Sequence, residues 1–322
     1  MPRPILGLAL AAILAVASGA ASAQDFPSRP IKILQGFAPG GNADAISRVL
    51  ADELSKSLGQ AVTVEARAGA GGNLATAEVV KSQPDGYTLV LLTTGHVISA
   101  ALYKSLPFDP VNDLQFITTV SELPHFIVVN AGKSPHKTIQ DLIAAAKAKP
   151  GGVTFGTAGI GTGQHLGAEL LNASIGAKMV HVPYRGDSGS VTGLLSGDVD
   201  FIVAPLPAVQ GNIDAGTFRA LAQTAAKTWP TMPNVPPISS AIPNFEVMAW
   251  TGVATTKGVP APVVAKLNQE LRRIIALPQV EKKLRDFGGE PASSTPEQIT
   301  DKTRSEIAKW TKVIAEADIP KQ

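Results

Sequence analysis

Ile31 to Ala66 reads IKILQGFAPGGNADAISRVLADELSKSLGQAVTVEA. Ile31–Phe37 is an apolar run of strand length. Asp44–Leu58 then sets Ile46, Val49, Leu50, Leu54 and Leu58 on one helical face, and Gly59 follows as a stop. Val62–Ala66 returns to strand. Strand, glycine-rich turn, amphipathic helix, strand is the unit of an α/β chain, and it recurs along the sequence. A helix is expected at Asn73–Ser82 and a strand at Thr88–Thr93, separated by the breaker Pro84-Asp85-Gly86. Further on come strand His125–Val129, helix Thr138–Lys149, strand Val153–Gly156 and helix Thr162–Ser174. Strand Met179–Tyr184, helix Ser188–Leu195 and strands Val199–Ala204 and Phe218–Thr224 complete the middle. Thr138 and Asp141 spell a capping box. Strands alternating with helices of this length imply parallel sheets with right-handed crossovers.

Two stretches read as passages between lobes. Asp113–Leu123 is a long strand pattern after Pro107 and Pro110. Trp229–Pro243 is rich in Pro, Ser and Asn and precedes the extended Phe245–Thr255. The tail is helical over Pro262–Ile275, Pro278–Phe287 and Pro296–Ala317; the last opens with Thr295, Pro296 and Gln298 as a second capping box. The economical arrangement is an α/β protein of two lobes with a cleft between them. Domain 1 takes 24–122 and 244–322, domain 2 takes 123–243, and two crossings form the hinge.

The first residues carry an export signal. One positive charge at Arg3 precedes the short apolar run Ile5–Val16, and small residues end in Ala21-Ser22-Ala23. That is a secretory signal peptide over 1–23, with cleavage expected after Ala23, and the apolar run is too short for a membrane span. The chain has no cysteine, so disulfides, lipid acylation at cysteine, thiolate metal sites and cysteine nucleophiles are excluded. A net charge of +2 gives no strong field for nucleic acid or membranes.

Ligands of parallel α/β sheets bind at the carboxyl ends of strands beside helix N-termini. Four loops lie there: Phe37-Ala38-Pro39-Gly40-Gly41-Asn42 running to Asp44, Thr93-Thr94-Gly95-His96, Gly156-Thr157-Ala158-Gly159 through Gly161 and Thr162, and Tyr184 to Asp187 and Ser188. Unpaired helix N–H groups and the positive end of the helix dipole suit carboxylate or phosphate. The same glycines also serve as tight turns. Two such loops facing each other across a cleft favour anion binding. Nucleotide fingerprints do not fit, because the middle loop is neither G-x-G-x-x-G nor a P-loop. Gly186-Asp187-Ser188-Gly189-Ser190 matches a protease nucleophile motif, but that chemistry needs a β-barrel and a histidine base in its own motif. His165 and Glu169 share a helix face without an evident third metal ligand. No catalytic residue, metal or cofactor is expected. Asp44 is open between capping the first helix, orienting a water and pairing with a ligand ammonium.

Longer motifs carry a resemblance. Phe26-Pro27-Ser28-Arg29-Pro30-Ile31, Pro39-Gly40-Gly41-x-x-Asp44, Gly69-Ala70-Gly71-Gly72-Asn73 and Pro84-Asp85-Gly86-Tyr87-Thr88-Leu89 resemble the Bug receptors of tripartite tricarboxylate transporters. Leu106-Pro107-Phe108-Asp109-Pro110, His181-Val182-Pro183-Tyr184-Arg185-Gly186 and Leu194-Leu195-x-Gly197-x-Val199-Asp200 extend the likeness toward the C-terminus. The resemblance implies a type II, Venus-flytrap periplasmic binding protein that is a monomer and not an enzyme. It also implies a small carboxylate as ligand, two integral-membrane transporter subunits as partners, and binding roles for the four loops and His165. Asn42, where many members have glycine, and Thr94-Gly95-His96 depart from the common pattern. The competing readings are a sensor that presents ligand to a membrane kinase, and a hydrolase using Ser188.

Overall fold

The computed structural model describes residues 26–37 and 39–322. The expected signal peptide over 1–23 and Ala38 therefore lie outside the described residues.

In the first lobe, strand β1 (Ile31–Gln35) pairs in parallel with β2 (Val62–Ala66) and β3 (Thr88–Thr93). The next two strands are β4 (Leu114–Asn130) and β9 (Met248–Thr256), and β9 runs antiparallel to both β3 and β4. The short β10 (Glu290–Pro291) also pairs with β4. The second lobe holds β5 (Thr154–Thr157), β6 (Val180–Pro183) and β7 (Phe201–Pro205), mutually parallel in the order β6-β5-β7. There β4 pairs antiparallel with β7 and with β8 (Phe218–Gln223).

Both sheets are thus mixed where the alternation of elements predicts parallel strands. The reason is β4. Asp113–Leu123 and His125–Val129, two separate runs in the sequence, form one strand that serves both lobes. Its last partner in the first sheet is Met248 against Pro124, and its first in the second is Pro205 against His125. Pro124 has no N–H to donate, so it suits the point where the ladder changes partners. The return crossing is fastened at the same place. Thr224 N–H donates to His125 O at 2.9 Å, and Thr224 Oγ1 accepts from His125 N–H at 2.8 Å. The Thr224 hydroxyl also donates to Val247 O at 2.5 Å, and Val247 N–H donates back to Thr224 O at 2.9 Å. One threonine therefore ties both interlobe passages together.

Helices cover the sheets for reasons visible in their spacing. Helix α1 (Asn42–Leu58) buries Ile46, Val49, Leu50 and Leu54 against the first sheet and stops at Gly59 in the left-handed conformation. Helices α2 (Asn73–Val80) and α3 (Thr94–Leu102) follow, the latter missed by the sequence reading because its start coincides with the third glycine loop. In the second lobe, α4 (Ile139–Ala148) starts at the expected Thr138–Asp141 capping box. Helices α5 (Gly163–Ile175), α6 (Asp187–Ser196) and α7 (Leu206–Asp214) come next. Helix α7 was also unforeseen, although Pro207 in its first turn is a start signal.

The tail forms α8 (Ala261–Ile275), α9 (Pro278–Asp286) and α10 (Pro296–Glu316), and α10 opens with the expected Thr295–Gln298 box. Trp310, Val313 and Ile314 of α10 join a core shared with Ile98 and Leu102 of the first lobe and with Leu166 and Leu171 of the second.

Some turns admit only glycine. A Cβ on Gly36 would stand 2.2 Å from the Gly72 Cα, and one on Gly95 would stand 2.8 Å from the Gly71 carbonyl. The loop after β1, the turn before α2 and the start of α3 thus pack backbone against backbone.

Candidate ligand cleft

A cleft of about 420 Å³ opens between the lobes. Gly40, Gly41, Asn42 and Ala45 line one wall together with Asp286 and Phe287, and Asp187, Pro205, Pro207 and Ala208 line the other. The first lobe supplies the end of β1 and the start of α1, and the second supplies the starts of α6 and α7. Gly288, just past α9, abuts Pro207 so closely that a Cβ there would meet the proline ring at 2.6 Å.

None of the three helix starts at the cleft carries a side-chain cap among the described residues. The N-cap of α1 is Gly41 and that of α6 is Gly186, and neither helix receives a side-chain hydrogen bond at its start. The first N–H groups of an uncapped helix need partners, and together with the dipole they favour an anion. Helix α5 differs, because Thr162 Oγ1 accepts from the His165 N–H at 3.2 Å and closes that end.

Asp44 organises the glycine loop. The residue is buried, 4% exposed. It accepts from Gly40 N–H at 3.0 Å and from Arg48 through Nε at 2.9 Å and Nη2 at 3.2 Å. The Arg48 guanidinium, and then the Gly40 N–H, hold its carboxyl below the usual aspartate range. Gln35 supports the same turn, since its Oε1 accepts from Phe37 N–H at 2.8 Å. Asp44 therefore acts as an internal brace with its oxygens already occupied. Gly40, at φ 83°, has open space where a Cβ would project.

The Gly156–Thr162 loop adjoins the α6 start without lining this cleft. Tyr184 N–H donates to Thr157 O at 3.0 Å, Gly186 N–H donates to Ala158 O at 3.0 Å, and Gln164 Nε2 donates to Asp187 Oδ1 at 2.9 Å. Inside the loop lies a histidine cluster. Thr157 Oγ1 and His181 Nε2 are 2.6 Å apart, and the His181 ring stacks on His165 at 4.1 Å between centroids. His165 Nδ1 accepts from Gly161 N–H at 3.3 Å, and its Nε2 lies 3.8 Å from Glu169. His125 borders the cluster, 3.2 Å from the position of a Cβ on Gly163. Burial keeps these rings neutral, holding His125 and His181 at about 4 and His165 at about 3. The neighbouring His181 also disfavours charge on His165.

The remaining expected residues lie outside the lining of this cleft. Thr93 Oγ1 caps α3 by accepting from Gly95 N–H at 3.2 Å, and Thr94 Oγ1 accepts from Trp250 N–H at 2.8 Å. His96 is buried, with Nε2 2.8 Å from Pro110 O and its ring stacked over Phe108. The Tyr184 ring lies on the glycine face of α6, against Gly189 and Gly193. Phe37 is half-buried against the α1 core. Ser188 is exposed, and among the described residues no histidine is bonded to its hydroxyl. The described residues contain no group of three His, Cys, Asp or Glu side chains able to hold a metal ion. None of their helices is long and apolar enough to cross a membrane. The sequence reading did not single out Pro205, Pro207, Ala208, Asp286 or Phe287. Proline at the carboxyl end of a strand was the available signal for the α7 wall.

Two α/β lobes joined by two crossings, with helix N-termini facing a cleft, define a periplasmic-binding-protein fold. The chain belongs to the tripartite tricarboxylate transporter family receptors, whose family model matches residues 46–319. A relative from Pseudomonas sp. (strain P51), described as the UPF0065 protein in the tcbD-tcbE intergenic region, is 38% identical over 98% of this chain and 94% of its own. Protein BugT of Bordetella pertussis is 34% identical over 92% of this chain and 91% of its own. Among solved structures, R. palustris Rpa4515 with adipate superposes at a TM-score of 0.80 and 31% identity, covering 92% of this chain and 99% of that one. MatC from Rhodopseudomonas palustris with bound malate gives 0.74 and 28%, covering 90% and 100%. The periplasmic binding protein BugD gives 0.77 and 31%, covering 92% and 100%.

Proposed function

We propose that this protein is a periplasmic receptor that captures a small carboxylate between its lobes and delivers it to the membrane subunits of a tripartite transporter. The observation that carries this reading is the cleft itself, where the uncapped starts of α1 and α6 face each other with glycine backbone at the surface. Solved relatives holding adipate and malate support the carboxylate. Residues 24–122 and 244–322 form one lobe and 123–243 the other, and they close about the Pro124 and Val247 crossings. The carboxylate sits on the N–H groups of Gly41 and Asn42, while the Gly40 N–H stays with Asp44 and residues from Asp187 and the α7 start close over the ligand. The Gly156–Thr162 loop supports the α6 wall, and the signal peptide over 1–23 directs export. The protein binds and releases its ligand unchanged, without a catalytic step.

A thermal-shift screen of mono-, di- and tricarboxylates and aromatic acids tests the reading. A ligand at about 100 times its Kd raises folded-state stability by roughly 2.7 kcal/mol, a shift of several degrees. At least one acid is expected to give such a shift. A panel that leaves Tm unmoved throughout removes the carboxylate.

A further inference from the structure

We propose that Asp187 reads the far end of the ligand, so that this receptor prefers a molecule with a carboxylate at one end and an ammonium or other N–H donor at the other over a dicarboxylate. The inference rests on the carboxylate reading above and narrows it.

The charged residues lining the cleft are Asp187 and Asp286, and neither a lysine nor an arginine is among its lining residues. The two acids differ in what faces them. Asp286 is ion-paired with Lys282 at 2.7 Å on the exposed side of α9. Among the described residues Asp187 has no such partner. Gln164, itself buried, donates one amide hydrogen to Oδ1, and among the described residues no hydrogen bond reaches Oδ2. Burial pushes the Asp187 carboxyl above its ordinary range, as expected for a carboxylate lacking a compensating cation. Two cations on the elements that carry the lining residues leave Asp187 unpaired. Arg48 is held by Asp44, and Arg185 is exposed and outside the lining.

The wall opposite Asp187 combines Gly40 and Gly41 backbone with Asn42, Ala45, Phe287 and the Lys282-paired Asp286, and its glycine backbone accommodates one carboxylate. A ligand spanning the cleft then presents its second end to Asp187. A second carboxylate there would meet a like charge with no counter-ion, whereas an ammonium or amide N–H would supply the partner that Oδ2 lacks. The Gln164 hydrogen bond fixes the rotamer, so Asp187 is pre-set for this contact.

Matched pairs of probes test the proposal by calorimetric titration at neutral pH: succinate with β-alanine, glutarate with 4-aminobutyrate, and adipate with 5-aminovalerate. In the best-fitting pair the ammonium compound is expected to bind at least about tenfold tighter than its dicarboxylate. Asp187→Asn should bring that ratio to one or below, with the Tm of the free protein unchanged or raised. Asp187→Ser provides a second reading of the same ratio should the first variant fold poorly. Equal or tighter binding of the dicarboxylate by the natural protein overturns the proposal, and so does a ratio that both variants leave intact. If no member of any pair binds and the wider panel of acids is also silent, the receptor reading falls and takes this inference with it. If only other acids bind, the receptor reading stands, and the ratio for the best of them against its ammonium analogue decides the inference in the same way.

Discussion

Asp44→Ala is expected to lower Tm by on the order of 5 °C and to weaken ligand binding at least about tenfold. Asp44 lies in the first turn of α1, and its carboxylate accepts from the Gly40 N–H as well as from Arg48. A hydrogen bond to a charged acceptor contributes roughly 2 kcal/mol, and a carboxylate near a helix N-terminus adds somewhat less than 1. Arg48 contributes little, because its side chain is 58% exposed and water replaces the lost partner. The larger consequence is local. Without the carboxylate, the Gly40 N–H loses the acceptor that ties the glycine loop to α1, and the loop is free to leave its left-handed turn. Asp44→Asn keeps an acceptor for Gly40 and should fall between Asp44→Ala and the natural protein in both readouts. Thermal melts with ligand titration of all three proteins check this. An alanine variant that binds with unchanged affinity would show that Asp44 braces nothing the ligand uses.

Acid should destabilise the protein from about pH 6.5 downward. His96, His125, His165 and His181 are all held neutral by burial, with values of about 4, 4, 3 and 4 against the 6.5 of a free histidine. The sign follows from linkage. Above pH 6.5 the rings are neutral in both the folded and unfolded states, and stability is indifferent to them. Between 6.5 and about 4 the unfolded chain takes up protons that the folded chain refuses, so stability falls as pH falls. Each proton of difference is worth about 1.4 kcal/mol per pH unit. Burial raises Asp187 and Glu169, which gives the opposite trend, since the unfolded chain releases those protons first as pH rises. Four histidines outweigh two carboxyls in this window. Tm measured from pH 8 to pH 4 without ligand should be nearly level to about pH 6.5 and then drop steeply. A level curve down to pH 4.5 would mean that the rings are solvated.

The two-lobed plan was legible because its signals are local. Helix faces such as Ile46, Val49, Leu50 and Leu54, capping boxes at Thr138 and Thr295, and breakers such as Pro84-Asp85-Gly86 each act within a few residues. Strand direction was less legible. The alternation of helices and strands predicts parallel pairing, and it holds for β1 to β3 and for β5 to β7. It fails for β4, because nothing local to Pro124 reveals that a strand continues into a second sheet. Helix α3 was hidden because Thr93 to His96 reads equally as a binding loop and as a helix start.

The cleft was partly legible. Gly40 to Asn42 and Asp187 lie at the carboxyl ends of strands, where α/β physics places ligands. Asp286 and Phe287 reach the same cleft from more than 240 positions beyond Asn42, and no spacing rule carries that far. The fate of Thr94 and His96 depended on partners at Trp250 and Pro110 that only tertiary packing supplies.

Gly40→Val offers the most direct test of the central claim that the α1 glycine loop holds the ligand carboxylate in the cleft. A Cβ on Gly40 meets no protein atom within 4 Å, so the valine side chain enters open space at the cleft wall instead of the core. Its positive φ costs roughly 1–2 kcal/mol, a few degrees of Tm. Calorimetric titration with the tightest acid from the screen should show affinity reduced on the order of a hundredfold, as two charge-assisted hydrogen bonds are lost, while the variant still melts cooperatively. A folded Gly40→Val protein that binds this acid as tightly as the natural one would contradict the account and place the carboxylate elsewhere.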